Sequence, residues 1–189
     1  MDNPPAESLD YVSDMLHIMG SFIVSSIRRR NLLRQLERMS YRDQLTQFGN
    51  RYAVDWFVEH EWNGEQIGVV YCDITGLKKV NDEQGHEAGD RLIIRACECL
   101  AGVFKGYGLY RIGGDEFLVL CLGIEEKDLR EHVEKLRMDM KEHQVTMAVG
   151  MIWKEHGPKD IDLLLNESER LMYEDKDRYY KEHGLKRRR

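Results

Sequence analysis

The sequence predicts an α+β domain: a ferredoxin-like βαββαβ core with extra helices and a long helix at its N-terminal end. Three observations carry that expectation. Residues 67–72, 109–112, 117–122 and 145–153 are apolar runs of strand length. The second and third flank Gly113-Gly114-Asp115-Glu116, a spacing that reads as a β-hairpin with its turn at the glycines. Helical periodicity fills the gaps on either side of that hairpin, at 88–103 and 125–143, and this alternation defines the plan.

Taken in order, residues 1–8 contain Pro4 and Pro5 and read as a loose terminus. From about 9 to 40, apolar residues recur at Val12, Leu16, Met19, Ile23 and Ile27, then at Leu33 and Leu36. Steps of three and four place them in one stripe on one helix face. About 30 helical residues span roughly 45 Å. A parallel coiled coil with a second subunit would bury the stripe, although Ser26 and Arg30 interrupt the seam. Packing on the chain's own domain, or on a sensor domain, would bury it equally well. Acidic Asp2, Glu7, Asp10 and Asp14 precede basic Arg28, Arg29, Arg30, Arg34 and Arg38, as a solvated helix face allows. At residue 41 the texture changes, and Asp43-Gln44-Leu45-Thr46 leads through Gly49-Asn50 into a helix near 51–60. A last helix is expected over 160–180. The chain is therefore divided into an N-terminal signalling or dimerisation helix (1–40), a globular domain (41–182) and a basic tail (183–189).

Composition narrows the function. Hydrophobic residues make up 42% of the 189, enough for a packed core. A net charge of -6 argues against a duplex nucleic-acid binder but suits an enzyme whose carboxylates hold metal ions. Cys72, Cys97, Cys99 and Cys121 include no CxxC pair with a histidine partner, so reduced cysteines in a cytoplasmic protein are expected, with no zinc site. No apolar run approaches the roughly 20 residues of a membrane span. A soluble chain, or the soluble end of a longer one, follows.

The candidate chemistry begins at Asp73, which ends the first strand. A βαββαβ sheet sets its first strand beside the central hairpin strand, so Asp73 can converge with Asp115 and Glu116. Converging carboxylates suit Mg²⁺, which takes oxygen ligands and keeps substrate phosphates in its shell. Two such ions could stabilise the attacking and leaving oxygens of an in-line displacement. Gly113 and Gly114 can take positive φ and admit a ligand close to the backbone. Taken alone, the hairpin is equally compatible with a turn of solvated acids. Thr75-Gly76-Leu77-Lys78 adds main-chain amides and a cation for phosphate. Asn81 and Asp90, with Gly85-His86 between them, can together read a purine edge, and an acidic reader favours the N–H donors of guanine. Ordinary readings remain beside these: Asn81 as a helix-end residue, Asp90 as a helix N-terminal charge, Gly85 as a C-cap.

Order and spacing together resemble the GGDEF domain, the diguanylate cyclase family. The resemblance runs through Asp43-Gln44-Leu45-Thr46 with Asn50-Arg51, Asp73-Ile74 with Lys78, Asn81 and Asp82, and Gly85-His86 with Gly89-Asp90. It continues through Arg111-Ile112-Gly113-Gly114-Asp115-Glu116-Phe117, Val145-Thr146 with Gly150, and Met172-Tyr173 with Lys176. It covers roughly residues 40–180 and implies a nucleotide-cyclase, palm-like version of the fold. It further implies that Asp73, the Ile74 carbonyl, Asp115 and Glu116 bind two Mg²⁺ (or Mn²⁺) per GTP. Asp115 and Glu116 would be catalytic, Glu116 as a metal ligand or as base for the attacking 3′-hydroxyl. Asn81 and Asp90 would read guanine with support from His86, Leu77 would line the substrate site, and Lys78 and Lys176 would bind phosphates. The reaction implied joins two GTP into cyclic di-GMP with release of two pyrophosphates, across two domains that meet as a homodimer.

Departures from the family pattern are informative. Leu77 stands where phenylalanine is usual, and Thr75 replaces a common aspartate. Tyr180 occupies the place of a phosphate-contacting arginine. Phe104 and Tyr107 stand where an inhibitory product site would need Arg-x-x-Asp, so feedback through that site is not expected. The N-terminal helix is similar to the last helix of a sensory input domain such as GAF. Three functions compete: an active cyclase, a catalytically silent GTP-binding regulatory module, and a dimerising scaffold.

Overall fold

The computed structural model describes residues 6–39, 41–158 and 160–184. The expected loose terminus at Pro4 and Pro5 and most of the basic tail lie outside them. The chain divides into two units at residue 40, Met1–Ser40 and Tyr41–Arg189.

The first unit is one helix, α1 (Ala6–Met39). Leu16, Met19, Phe22, Ile23, Ile27, Leu33 and Leu36 on it are 44–73% exposed. Among its described side chains the apolar stripe is therefore uncovered in the single chain.

The second unit contains α2 (Arg51–His60), β1 (Ile67–Ile74), α3 (Leu77–Gln84), α4 (His86–Val103), β2 (Gly108–Arg111), β3 (Glu116–Leu122), α5 (Glu126–Glu142), β4 (Met147–Lys154) and α6 (Asp162–Glu182). The strands form one sheet in the order β2-β3-β1-β4, with every neighbouring pair antiparallel. This is the βαββαβ arrangement expected, and β1 is central with all eight residues buried.

Alternation along the strands divides the core. Val70, Cys72, Phe117 and Val119 face Leu92, Ala96, Leu100, Leu129 and Leu136 of α4 and α5. Val69, Tyr71, Leu118 and Leu120 face Val54, Phe57, Leu164 and Met172 of α2 and α6. Truncating one such side chain to alanine costs about 2–5 kcal/mol, so either layer alone is decisive for folding.

Two helix ends are capped, one of them at Gly85 as the sequence allows. The Asn50 side chain accepts from the Ala53 N–H and starts α2. Gly85, at φ 83°, closes α3 and donates its N–H to the Asn81 carbonyl. Gly150 fixes the lie of α6: a Cβ there would stand 2.1 Å from the Ser168 carbonyl and 2.2 Å from the Met172 nitrogen. The helix rests directly on the β4 main chain, and one turn beyond Met172 it delivers Lys176 to the end of β1.

Candidate active site

Sheet register brings the acids together. Asp73 lies directly opposite Glu116 across β1 and β3, and the Ile74 N–H donates to the Asp115 carbonyl at 2.9 Å. Asp73, Asp115 and Glu116 thus share one end of the sheet. Ile74 is buried and its N–H is engaged, so its main-chain oxygen is the only group it can offer a ligand.

The glycines at the turn act differently from expectation. Neither Gly113 nor Gly114 has positive φ. At Gly113 a Cβ would stand 2.3 Å from a carboxylate oxygen of Glu116, which folds back over the turn, so a side chain there would displace that carboxylate. Gly114 borders open space. Arg111 braces the hairpin, donating to the Gly114 carbonyl at 2.7 Å and to Asp43 at 3.0 Å. Asp43 also accepts from the main chain and hydroxyl of Thr46, at 2.9 and 2.7 Å. Burial alone would raise the Asp43 pKa, but the Thr46 and Arg111 hydrogen bonds prevail and hold it below the usual value. The segment at 43–46 therefore supports the turn from behind.

The electrostatics call for a cation. Burial, reinforced by the charges of Asp115 and Glu116, pushes Asp73 up to about 6 against the opposing pull of Lys176. Glu116 is also raised, by burial first and then by the Asp115 and Glu169 carboxylates. The Tyr71 hydroxyl hydrogen-bonds Glu116 and is itself raised by burial. Lys176, expected on phosphate, places its ammonium 2.6 and 2.7 Å from the two oxygens of Asp73. A protein cation thus sits against the carboxylate best placed to hold a metal. An all-oxygen donor set, crowded anions and an ammonium standing in for a positive ion all fit a hard divalent cation.

The remaining expected residues gather at the α3–α4 joint. Asn81 lies one turn along α3 from Leu77, and a Cβ on Gly89 would stand 1.9 Å from its Oδ1. The carboxamide therefore lies on the α4 main chain next to Asp90. Its Oδ1 is buried and accepts no hydrogen bond, an acceptor waiting for a donor. Asp90, His86 and Lys78 are exposed. The Leu77 side chain is buried in the core, so any contact with a substrate falls to its main chain at the start of α3. The Thr75 amide is engaged by the Thr146 carbonyl at 2.8 Å and is not free for phosphate. Tyr180 is partly buried, its ring edge-on to Tyr179 at 6.0 Å.

Some contributors escape a reading of the sequence. Asp175 accepts from the Val149 N–H at 2.9 Å and pairs with Arg137 at 3.3 Å, fixing α6 beside Lys176. Tyr71 hydrogen-bonds Glu116 and the Glu169 charge acts on it, and no local spacing links either to it.

Fold and site define a class: a palm-like α+β domain, of the nucleotide-cyclase type, with a cluster of carboxylates at the end of its central strands. The chain belongs to the GGDEF domain family, described as "Diguanylate cyclase, GGDEF domain", whose model matches residues 40–181. Diguanylate cyclase DgcP of Escherichia coli K12 is 26% identical over 184 residues, covering 86% of this chain and 54% of that protein. Cyclic di-GMP phosphodiesterase PdeR of the same organism is 30% identical over 174 residues, covering 84% and 25%. The chain thus spans about half or less of the length of these curated relatives. Among solved structures, the coiled coil and GGDEF domain of DgcB from Caulobacter crescentus in complex with c-di-GMP superposes with a TM-score of 0.65 at 20% identity. That match covers 90% of this chain and 96% of the other. Among the described residues no helix is long and apolar enough to cross a membrane.

Proposed function

We propose that this chain is an active diguanylate cyclase, condensing two GTP into cyclic di-GMP and two pyrophosphates. The observation that carries this reading is the pairing of Asp73 with Glu116, beside Asp115, at a place where Lys176 already supplies positive charge. Asp73, Asp115, Glu116 and the Ile74 carbonyl would hold Mg²⁺ or Mn²⁺, two per GTP. When bound, the ions would neutralise the triphosphate and the developing charge on the leaving pyrophosphate.

The protein's own groups account for the rest. Asn81 would turn its carboxamide, whose oxygen has no partner, and Asp90 its carboxylate to the N–H edge of guanine, with His86 at the same joint. Lys78 and Lys176 contribute phosphate charge, Lys176 by moving from Asp73. The 3′-oxygen of one GTP forms a bond to the α-phosphorus of the other, and the bond from that phosphorus to the pyrophosphate oxygen breaks. Glu116, whose pKa burial and the neighbouring carboxylates raise above the usual carboxylate value, takes the 3′-hydroxyl proton.

The described residues hold one such acid cluster, whereas the product has two identical halves, so two domains must face each other as a homodimer. The uncovered stripe of α1 supports a parallel stalk that raises the effective concentration of one half-site near the other. In this reading 1–40 is a signalling or dimerisation helix that follows an input domain, and the enzyme works in the cytoplasm.

Incubation with GTP and Mg²⁺ should yield cyclic di-GMP, and Asp115→Ala should abolish it. GTP binding without pyrophosphate release would instead favour a silent regulatory module. Tyr180, in place of a phosphate-contacting arginine, is the feature that favours that second reading. If a chain starting at Tyr41 keeps both activity and dimerisation, a purely scaffolding role for the helix is refuted.

A further inference from the structure

A second cluster of metal-ligating groups lies away from the acids. Cys99 of α4 and Asp139 and His143 of the α5 C-terminal end each offer a ligand atom, all within 4.8 Å of one another. Sequence spacing gave no sign of it, because the thiol and the other two groups come from separate helices. The His143 Nδ1 stands 3.7 Å from an Asp139 carboxylate oxygen. Ligand atoms about 2.0–2.3 Å from zinc, at tetrahedral angles, lie about 3.3–3.8 Å apart. One edge of a coordination tetrahedron is therefore already present, and closing the rest takes about 1 Å of side-chain movement.

We propose that Cys99, Asp139 and His143 bind a borderline-soft divalent cation of the zinc class, with water as the fourth ligand. The donor set decides the class: a thiolate and an imidazole suit zinc and disfavour magnesium, which the all-oxygen site at Asp73 would take. His143 already donates from Nδ1 to the Asp139 main-chain carbonyl at 2.9 Å, a bond the ion would replace. Cys99 is fully buried, whereas the Asp139 and His143 side chains are 28% and 41% exposed, giving the ion a solvent-side approach. Without an ion the thiol stays protonated, pushed up to about 12 by burial and by its hydrogen bond to Asp139. Binding would release that proton to solvent as the thiolate forms. The occupied site would join α4 to α5 and stabilise the domain.

The test is a titration of Zn²⁺, and separately of Co²⁺, into metal-free protein with excess Mg²⁺ present. The proposal expects one equivalent bound, a near-ultraviolet thiolate-to-cobalt charge-transfer band and a rise in thermal midpoint. Cys99→Ser should lose the band, whereas Cys97→Ser and Asp115→Asn should keep it. His143→Gln should bind at least about tenfold more weakly, since substitutions behind a metal ligand alone cost about 10–100-fold. Absence of the band in the parent protein, or its persistence in Cys99→Ser, would overturn the proposal. If Cys99→Ser folds poorly, the exposed His143→Gln decides: unchanged affinity overturns it.

Discussion

Lys176→Met is the most instructive single substitution. In the parent protein the ammonium lies 2.6 and 2.7 Å from the Asp73 oxygens, with side-chain exposures of 14% and 6%. Removing one partner of a buried pair costs about 3–5 kcal/mol. Asp73 has an escape by taking up a proton. From a pKa of about 6, protonation at pH 7.5 costs about 2 kcal/mol, at 1.36 kcal/mol per unit. Loss of the lysine raises the pKa further and lowers that cost. The expected destabilisation is therefore up to about 2 kcal/mol, or roughly 4–8 °C in melting temperature for a domain of this size.

Two signatures separate this from a general packing loss. The folded-state pKa of Asp73 lies above its unfolded value, so ionisation withdraws stability as pH rises from about 4 through about 6. The deficit of the variant should therefore shrink as pH falls through about 6. Mg²⁺ should also raise the melting temperature of Lys176→Met more than that of the parent, because it need not displace an ammonium. Calorimetric melts with and without Mg²⁺ at pH 5 and 7.5 measure both. A variant that melts within about 1 °C of the parent without metal, with the same Mg²⁺ shift, would refute the reasoning.

Other expectations concern the supporting residues. Gly89→Ala should push the Asn81 carboxamide from its seat, since the added carbon would lie 1.9 Å from Oδ1, and weaken GTP binding about tenfold with little loss of folding stability. Titration calorimetry with a non-hydrolysable GTP analogue checks this. Gly150→Ala meets main chain on two sides, which cannot yield, and should cost about 3 kcal/mol or more in urea unfolding. Asp43 has a lowered folded-state pKa, so its contribution is present above the unfolded value of about 4 and is lost as pH falls through the folded one. Asp43→Asn should lower stability at pH 7 by about 1 kcal/mol and flatten its acid dependence, read from melts between pH 2 and 7.

The sheet was legible in the sequence because its strands are apolar runs separated by amphipathic helices, and both faces of β1 are covered. Asp73 and Glu116 could be paired from topology alone, since the sheet fixes which strands adjoin. Spacing around the Gly85 cap brings Asn81 and Asp90 to one helix joint, as the structure shows. Positive φ at Gly113 is not borne out, and the space this glycine leaves for the Glu116 side chain is illegible in the sequence because it depends on that side chain's path. That the Leu77 side chain faces the core, leaving only its main chain for a ligand, is decided by how α3 docks and not by local sequence. The Arg111–Asp43 brace, the Asp175 anchor and the Lys176–Asp73 pair join distant segments, and no local pattern announces them.

The central claim is that two GGDEF domains, each contributing half a site, join two GTP. Product formation from GTP and Mg²⁺, followed as a function of protein concentration, tests it most directly. Cyclic di-GMP and pyrophosphate should form at a rate per chain that rises with concentration until the dimer is saturated, with no product from Asp115→Ala. Bound GTP with no pyrophosphate at any concentration, or a rate per chain that stays constant down to fully monomeric protein, would contradict it.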